Sequence, residues 1–254
     1  MAPETLADFA GAHQNALWIF VVLLDLGVTL LLFKVFGKTG LYAVIVLNIM
    51  LSNLIGPKIT VIFGFNTSMG VIIYSGIYFA TDLLGERYGK REANRAVFVG
   101  FAVSVMVVTF GLLSLFFIPT PDPQKHKFAS DVHDALSMLF SYTPRFVFGS
   151  LLAYLVSQTH DVWMYHYLKT KTKGKHMWLR NNVSTMTSQA IDTVIYGLVV
   201  WWAIFDLRTA MELALVKYVF KVIIALLDTP FLYWARTWDV SARDWHDESA
   251  PAQG

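Results

Sequence analysis

Long apolar stretches recur along the chain, separated by short polar or charged segments. They are too long for the strands of a soluble α/β fold, which run to about 4–8 residues. Most approach the roughly 20 residues that a helix needs to cross the hydrocarbon core of a membrane. The pattern predicts seven spans, at residues 16–36, 41–63, 69–84, 95–118, 144–166, 183–205 and 211–235. The third is short, and we expect its helix to continue to about Tyr88, beyond the hydrocarbon.

The segments outside the spans complete this picture. The connection from Pro119 to Thr143 opens with Pro-Thr-Pro-Asp-Pro, which blocks a helix, and a short surface helix is predicted after it over 131–140. The N-terminus lacks the basic start of a cleaved signal peptide, so we interpret the first span as a retained helix. Residues 1–240 are predicted to form a single transmembrane domain, and 241–254 a disordered polar tail.

Composition agrees with a membrane protein. Apolar residues make up 56% of the chain and charged residues only 15%, against roughly 25% in soluble domains. The fold class predicted is therefore an all-α, polytopic bundle of transmembrane helices. The net charge of +2 is too small to indicate nucleic-acid binding. With no cysteine, the chain has no disulfide, thiolate nucleophile or thiolate metal site.

The placement of lysine and arginine predicts the orientation. One set of alternate loops holds most of these residues, while the opposite set holds only Lys125, Lys127, Arg145 and Arg208. Loops on the cytoplasmic side carry the excess of positive charge. The bias therefore predicts an outside N-terminus and an inside C-terminus, which requires an odd number of spans. We expect a multi-pass protein of the cytoplasmic (inner) membrane.

One polar pattern occurs twice, in the predicted fifth and sixth spans. Residues 157–161 read Ser-Gln-Thr-His-Asp, and residues 188–192 read Ser-Gln-Ala-Ile-Asp. Residues three apart on a helix share a face, so each copy presents an amide and a carboxylate on one side. Tyrosines one turn beyond continue both faces. We expect two walls of a polar pocket, lined by Gln158, Asp161, Gln189, Asp192, Tyr154, Tyr165 and Tyr196.

Further polar residues lie inside the other predicted spans. A charged group at a helix centre costs about 2.5–3.5 kcal/mol on insertion scales, so it needs a partner or a function. For Asp25 we favour a packing role, and for Lys217 and Lys221 neutralisation of Asp192 or Asp228 competes evenly with a substrate role. Polar groups that converge near mid-bilayer, on helices with prolines 57 and 230, are typical of a transporter's binding site. The residues concerned are Asp25, Asn53, Tyr78, Asp82, Lys217, Lys221 and Asp228.

The chemistry of such a pocket suits a flat ring with many hydrogen-bonding groups. One carboxylate can accept from neighbouring N–H donors of a guanine-like edge, an amide can bind a carbonyl or ring nitrogen, and tyrosine rings can stack on the faces. From the residues alone, the ligand is a small polar or heteroaromatic solute.

Several longer motifs carry a family resemblance. They are Leu-Ser-Asn (51–53), Phe-Ala-Thr-Asp-Leu-Leu-Gly-Glu-Arg-Tyr-Gly (79–89), Ser-Gln-Thr-His-Asp-Val-Trp (157–163), Trp-Leu-Arg-Asn-Asn-Val-Ser-Thr (178–185), Ser-Gln-Ala-Ile-Asp-Thr (188–193), Tyr-Val-Phe-Lys-Val (218–222) and Leu-Leu-Asp-Thr-Pro (226–230). In this order and spacing the chain resembles the queuosine-precursor transporters, a branch of the vitamin-uptake transporter group. The resemblance covers roughly residues 41–238.

The resemblance implies uptake of 7-cyano-7-deazaguanine and its 7-aminomethyl relative for salvage into tRNA queuosine. It also implies a six-helix core, to which the first span with Asp25 is an addition. Our hypothesis is that Asp161 or Asp192 accepts the N–H donors of the base and that two glutamines bind its other edge atoms. The rest of the site is predicted to be Asn53, Asp82 and Lys221 as polar shell, Tyr78, Tyr154 and Tyr196 as stacking faces, and Lys217 and Asp228 in coupling or gating.

No cofactor, metal or catalytic residue is predicted, and the expected partners are the small-molecule substrate and the lipid bilayer. Direct nucleic-acid binding is not expected, and a homo-oligomer is compatible with the sequence. The alternatives are a substrate-binding subunit that needs an energising partner, a carrier for another heteroaromatic vitamin, and an intramembrane hydrolase that uses Asp82 and Asp192 as a dyad. His-Glu-x-x-His and P-loop motifs are absent from the sequence.

Overall fold

A computed structural model describes residues 11–56, 58–140, 144–202 and 205–240, with the side chains of Asn53 and of 144–147 excepted. These residues form seven α-helices and one short β-hairpin. The predicted tail at 241–254 and the first ten residues lie outside this description. The helical class is as predicted, and the hairpin is an addition to it.

The first helix, α1 (Gln14–Ile55), contains the first predicted span and most of the second. Its hydrogen bonding continues throughout, but Gly37 has φ 56° and ψ −133°, which bends the helix between the two predicted spans. A positive φ of this kind favours glycine. Gly40 follows, and a Cβ there would lie 2.1 Å from the carbonyl oxygen of Leu32. Glycine at both positions thus makes the sharp bend possible.

The second predicted span was wrong at its end, since helix does not continue to residue 63. Instead β1 (Ile59–Ile62) pairs antiparallel with β2 (Phe65–Ser68). The turn residues Phe63 and Gly64 both have positive φ, of 50° and 83°, as a two-residue hairpin turn requires. The run Ile-Thr-Val-Ile is β-branched throughout, which favours a strand over a helix.

The other predicted helices are present with shifted ends. The third continues to Tyr88 as predicted, the fourth stops at Ser114 rather than 118, and the surface helix begins earlier, at His126. The helices are α2 (Gly70–Tyr88), α3 (Lys90–Ser114), α4 (His126–Phe140), α5 (Pro144–Lys171), α6 (Met177–Tyr196) and α7 (Leu207–Arg236). A π-helical turn (Gly197–Trp201) continues α6, and α7 runs through Pro230.

Helix α2 occupies the centre of the bundle. Every residue from Gly70 to Gly85 except Tyr74 is buried, because α1, α3, α5 and α7 all pack against it. The outer helices expose large apolar side chains, such as Phe20 and Phe110. A bundle with a buried polar centre and an apolar exterior is typical of a protein whose surroundings are lipid.

Two helical stretches are long and apolar enough to cross a membrane by length and composition alone. They are Gln14–Ser52, which includes the bend, and Lys90–Ser114. The number of spans and the orientation stay predictions.

Candidate substrate-binding site

The centre of α2 contributes the first wall of the candidate site. Tyr74, Tyr78 and Asp82 are spaced four apart and share one face of the helix. Asp82 is buried, with 3% of its surface exposed, and its carboxylate accepts a hydrogen bond from the hydroxyl of Thr185 on α6, at 3.1 Å. Asp82 therefore joins the two helices in the interior of the bundle.

The two glutamines of the repeated motif lie in this interior with atoms unused. Gln158 is fully buried, and its amide oxygen accepts from the hydroxyl of Thr81 at 3.4 Å. Its amide nitrogen has no partner among the described residues, and neither polar atom of buried Gln189 has one. A buried amide without hydrogen bonds costs roughly 1–3 kcal/mol. These atoms are therefore available to a ligand.

Asp161 lacks a hydrogen bond of standard geometry among the described residues. It is fully buried, lies next to Asp82 and to the hydroxyls of Ser184 and Ser188 on α6, and interacts at longer range with Asp228 on α7. Neither of its oxygens accepts a hydrogen bond of normal geometry from any residue that the structure describes. Asp228 in turn accepts from the amide of Asn181 at 3.3 Å. We call Asp82, Asp161 and Asp228 the carboxylate cluster.

Asp192, the second motif aspartate, has a different environment. It forms a buried ion pair with Lys221 of α7. The Lys221 ammonium also lies over the ring of Tyr74, 4.7 Å from its centroid. One turn earlier, Lys217 lies 3.8 Å from the ring centroid of Tyr196. Of the two motif aspartates, Asp192 is neutralised by the protein itself.

The predicted tyrosines do not all lie in one group. Tyr78 is fully buried and packs next to Tyr74, with ring centroids 6.0 Å apart, and Tyr154 contacts Tyr74 edge to face. The Tyr154 hydroxyl donates to the carbonyl oxygen of Val97 at 3.3 Å. Tyr165 lies outside the group, because its hydroxyl donates to the carboxylate of Glu86 at 3.0 Å.

Two predicted residues are not brought into the described site. The side chain of Asn53 lies outside the described part of the chain, so its assignment stays a prediction. Asp25 packs elsewhere, where its carboxylate accepts from the amide of Asn48 at 3.0 Å. A Cβ on Gly76 of α2 would meet this carboxylate at 2.0 Å. Asp25 thus fastens the first half of α1 to α2, as the packing role favoured above requires.

Three residues of the site were not among the predicted ones: Tyr74, Asn181 and Thr185. The signal was present in the sequence. Asn181, Thr185 and Asp192 recur at helical spacing on α6, as Tyr74 does with Asp82 on α2. The Gln-x-x-Asp motif defines only part of the α6 face, and Thr185 and Asn181 lie one and two turns before Gln189 on it.

A charged network closes the end of the bundle that carries the basic loops. The carboxylate of Glu86 accepts from Arg180 at 2.8 Å, from Lys169 at 2.9 Å and from Arg236 at 3.4 Å. Burial raises the pKa of Glu86, but the hydrogen bonds from Lys169 and Arg180 outweigh it and hold that pKa below its usual value. Arg87, the neighbour of Glu86 in the chain, instead donates to the carbonyl oxygen of Arg236.

The β-hairpin covers α7 at the residue before Lys221. Phe63 in its turn stacks on Phe220 at 6.4 Å and meets Trp18 of α1 edge to face at 6.1 Å. The polar centre therefore lies between the hairpin and the Glu86 network. Since Gln158, Asp161 and Gln189 have at most 1% of their surface exposed, this conformation is an occluded one.

The structure does not bring the predicted hydrolytic pair, Asp82 and Asp192, together. These two aspartates have different partners. Asp82 interacts with Asp161 and Thr185, while Asp192 pairs with Lys221. Within the described ranges, no three histidine, aspartate or glutamate side chains are placed to hold a metal ion. The free atoms are two acceptor oxygens on Asp161, donors on Gln158, and both kinds on Gln189.

The chain belongs to a family of transport proteins. Residues 68–235 match the family model described as "Putative vitamin uptake transporter", which covers α2 to α7 and hence every residue of the site described above. No solved structure matches the chain significantly.

Its curated relatives include named transporters, which confirms the resemblance drawn from the motifs. The chain is 34% identical to the "Probable queuosine precursor transporter" of Bacillus subtilis, over 88% of this chain and 95% of the relative. It is 27% identical to the "Queuosine precursor transporter" of Escherichia coli, over 65% of this chain and 71% of that protein.

Proposed function

We propose that this protein is a transporter of the cytoplasmic membrane that imports queuosine precursors, 7-cyano-7-deazaguanine and 7-aminomethyl-7-deazaguanine, for salvage into tRNA queuosine. The names of its relatives support the substrate class. The observation that carries the proposal is the set of fully buried polar atoms without partners on Gln158, Asp161 and Gln189. Hydrogen-bond donors and acceptors together, beside tyrosine rings, match a flat guanine-like base.

Asp161 takes the role of acceptor for the N–H donors of the base. Neither of its oxygens accepts a hydrogen bond of normal geometry in the described part of the chain, with the hydroxyls of Ser184 and Ser188 close by, whereas Asp192 is neutralised by Lys221. Gln158 and Gln189 bind the carbonyl and ring nitrogens, and Tyr78 supplies a stacking face. A guanine-like edge would supply the hydrogen bonds that these buried groups lack. Binding of the base is therefore favoured over the empty site.

Transport requires that the occluded site open to each side in turn. In the proposed seven-span topology, with an outside N-terminus, the Glu86 network lies at the cytoplasmic end and the hairpin at the outer end. Release of one closure at a time would expose the site to one side only. The two closures are made by different residues, which permits alternating access.

The test is uptake in cells that cannot synthesise 7-deazaguanines, scored by queuosine in their tRNA at nanomolar external precursor. We expect the wild-type protein to restore queuosine and Gln189→Met to lose at least tenfold in initial uptake rate. The variant should fold as well as the wild type, because it removes unpaired polar atoms and conserves shape.

Gln124→Met serves as the matched control, since Gln124 is exposed in the connection before α4. It should transport normally. Failure of well-inserted wild-type protein to restore queuosine would refute the substrate class. Normal uptake by Gln189→Met would refute the site.

A further inference from the structure

The carboxylate cluster has no basic partner. None of Asp82, Asp161 and Asp228 lies within ion-pair distance of a lysine, arginine or histidine among the described residues, in contrast to Asp192 with Lys221. All three are buried, with at most 3% of their surface exposed. Asp82 and Asp228 are hydrogen-bonded to Thr185 and Asn181, which lie one helical turn apart on α6.

The neighbouring cations are engaged elsewhere. Lys221 pairs with Asp192, Lys217 lies over Tyr196, and Arg180 pairs with Glu86. When ionised, the cluster carries an excess of negative charge in a place that excludes water. Uncompensated charge inside a membrane protein is costly and is normally balanced by a partner.

A second observation indicates that the partner is a ligand. The unpartnered amide nitrogen of Gln158 lies beside the cluster, and buried Gln189 on α6 adds two further unpaired atoms. Gln158 is one helical turn from Asp161 and accepts from Thr81, the neighbour of Asp82. Negative charge and unpaired hydrogen-bonding groups thus meet in one buried place.

We propose that this site selects a cationic ligand, a heteroaromatic base that carries a protonated amine, over a neutral base of the same shape. The inference rests on the proposed function and specifies its substrate. A primary alkylamine is protonated at neutral pH, as the lysine side chain is, so 7-aminomethyl-7-deazaguanine carries one positive charge and the 7-cyano compound none.

Two carboxylates are needed for this ligand, because its amine and its N–H edge lie on opposite sides of the ring system. Asp161 accepts from the edge. Asp228, which keeps a hydrogen bond from Asn181, provides the negative charge that balances the amine, and Asp82, which lies next to Asp161 and accepts from Thr185, adds negative charge between the two ends. The cluster on three different helices can therefore hold both ends of one flat molecule.

The experiment measures equilibrium binding of the two bases to the purified full chain in nanodiscs at pH 7. We expect the aminomethyl compound to bind at least about tenfold more tightly, a modest value for one added charge near a buried carboxylate. Asp228→Asn and Asp82→Asn remove one charge each at constant shape, and each should reduce this ratio at least about threefold. Two variants are used so that poor folding of one leaves the test intact.

Asp25→Asn is the matched control. It removes a carboxylate that accepts from Asn48, apart from the cluster, and should leave the affinity ratio unchanged. Equal affinity for the two bases, or tighter binding of the cyano compound, would overturn the proposal and indicate that protons neutralise the cluster. A wild-type preference that both cluster variants retain would overturn it as well. Binding of neither base would refute the proposed function instead.

Discussion

Glu86 offers a quantitative test of how the bundle is held together. Its carboxylate, 5% exposed, contacts basic side chains from three helices. Arg180 is fully buried, while Lys169 and Arg236 are 32% and 47% exposed. Glu86→Gln removes the charge at nearly constant shape, so its effect reports the electrostatic part of the network.

The magnitude follows from the burial of each partner. Leaving a buried charge without its partner costs about 3–5 kcal/mol, and exposed pairs contribute about 0–1 kcal/mol each. Arg180 would keep its bonds to the carbonyl oxygens of Gly174 and Lys175, and the new amide oxygen can still accept. We therefore expect a loss near the lower bound, about 3 kcal/mol.

The assay is thermal unfolding of the purified protein in nanodiscs. The expected decrease in Tm is about 6 °C or more, from the usual scaling for chains of this size. Glu92→Gln is the matched control, because Glu92, 19% exposed, pairs with a Lys38 side chain that is 41% exposed. The control should lower Tm by about 4 °C or less.

The pH dependence of thermal stability provides a second test of the Glu86 network. Since the pKa of Glu86 is held below its usual value of 4.5, its contribution is complete above pH 4.5 and is lost as the pH falls through the lowered value. The difference between wild type and Glu86→Gln should therefore shrink under acid. Equal Tm values for Glu86→Gln and Glu92→Gln at pH 7 would refute the reasoning.

Two further predictions concern the interior. Gly76→Ala should destabilise the protein by about 1–3 kcal/mol, because its Cβ would lie 2.0 Å from the Asp25 carboxylate, whereas Gly27→Ala, with no atom within 4 Å, should be neutral or stabilising. Thermal unfolding compares them, and equal effects would contradict the described packing of α1 on α2. Asp192→Asn should abolish uptake and destabilise by about 3–5 kcal/mol by leaving Lys221 unpaired. The double variant with Lys221→Met should recover stability but not uptake, and a double variant as unstable as the single one would show that the ion pair is not the cause.

The sequence by itself determined the helices and the polar stripes. Apolar runs of membrane length and the repeated Ser-Gln-x-x-Asp motif depend on local periodicity, so residue spacing alone places Gln158, Asp161, Gln189 and Asp192 on helix faces. The bend at Gly37 falls at a predicted break for the same reason. The β-hairpin was missed because the apolar content of Ile59–Ile62 is the same in a strand as in a helix, and apolar content set the predicted boundary.

Only the tertiary structure decided which polar groups are paired. The two motif aspartates are equivalent in sequence, yet Asp192 meets Lys221 while Asp161 meets other carboxylates. Likewise Glu86 has Arg87 as its neighbour in the chain but pairs with Arg180 from another helix. The strength of such an interaction depends on distance and burial between helices, and neither is encoded in the spacing along one helix.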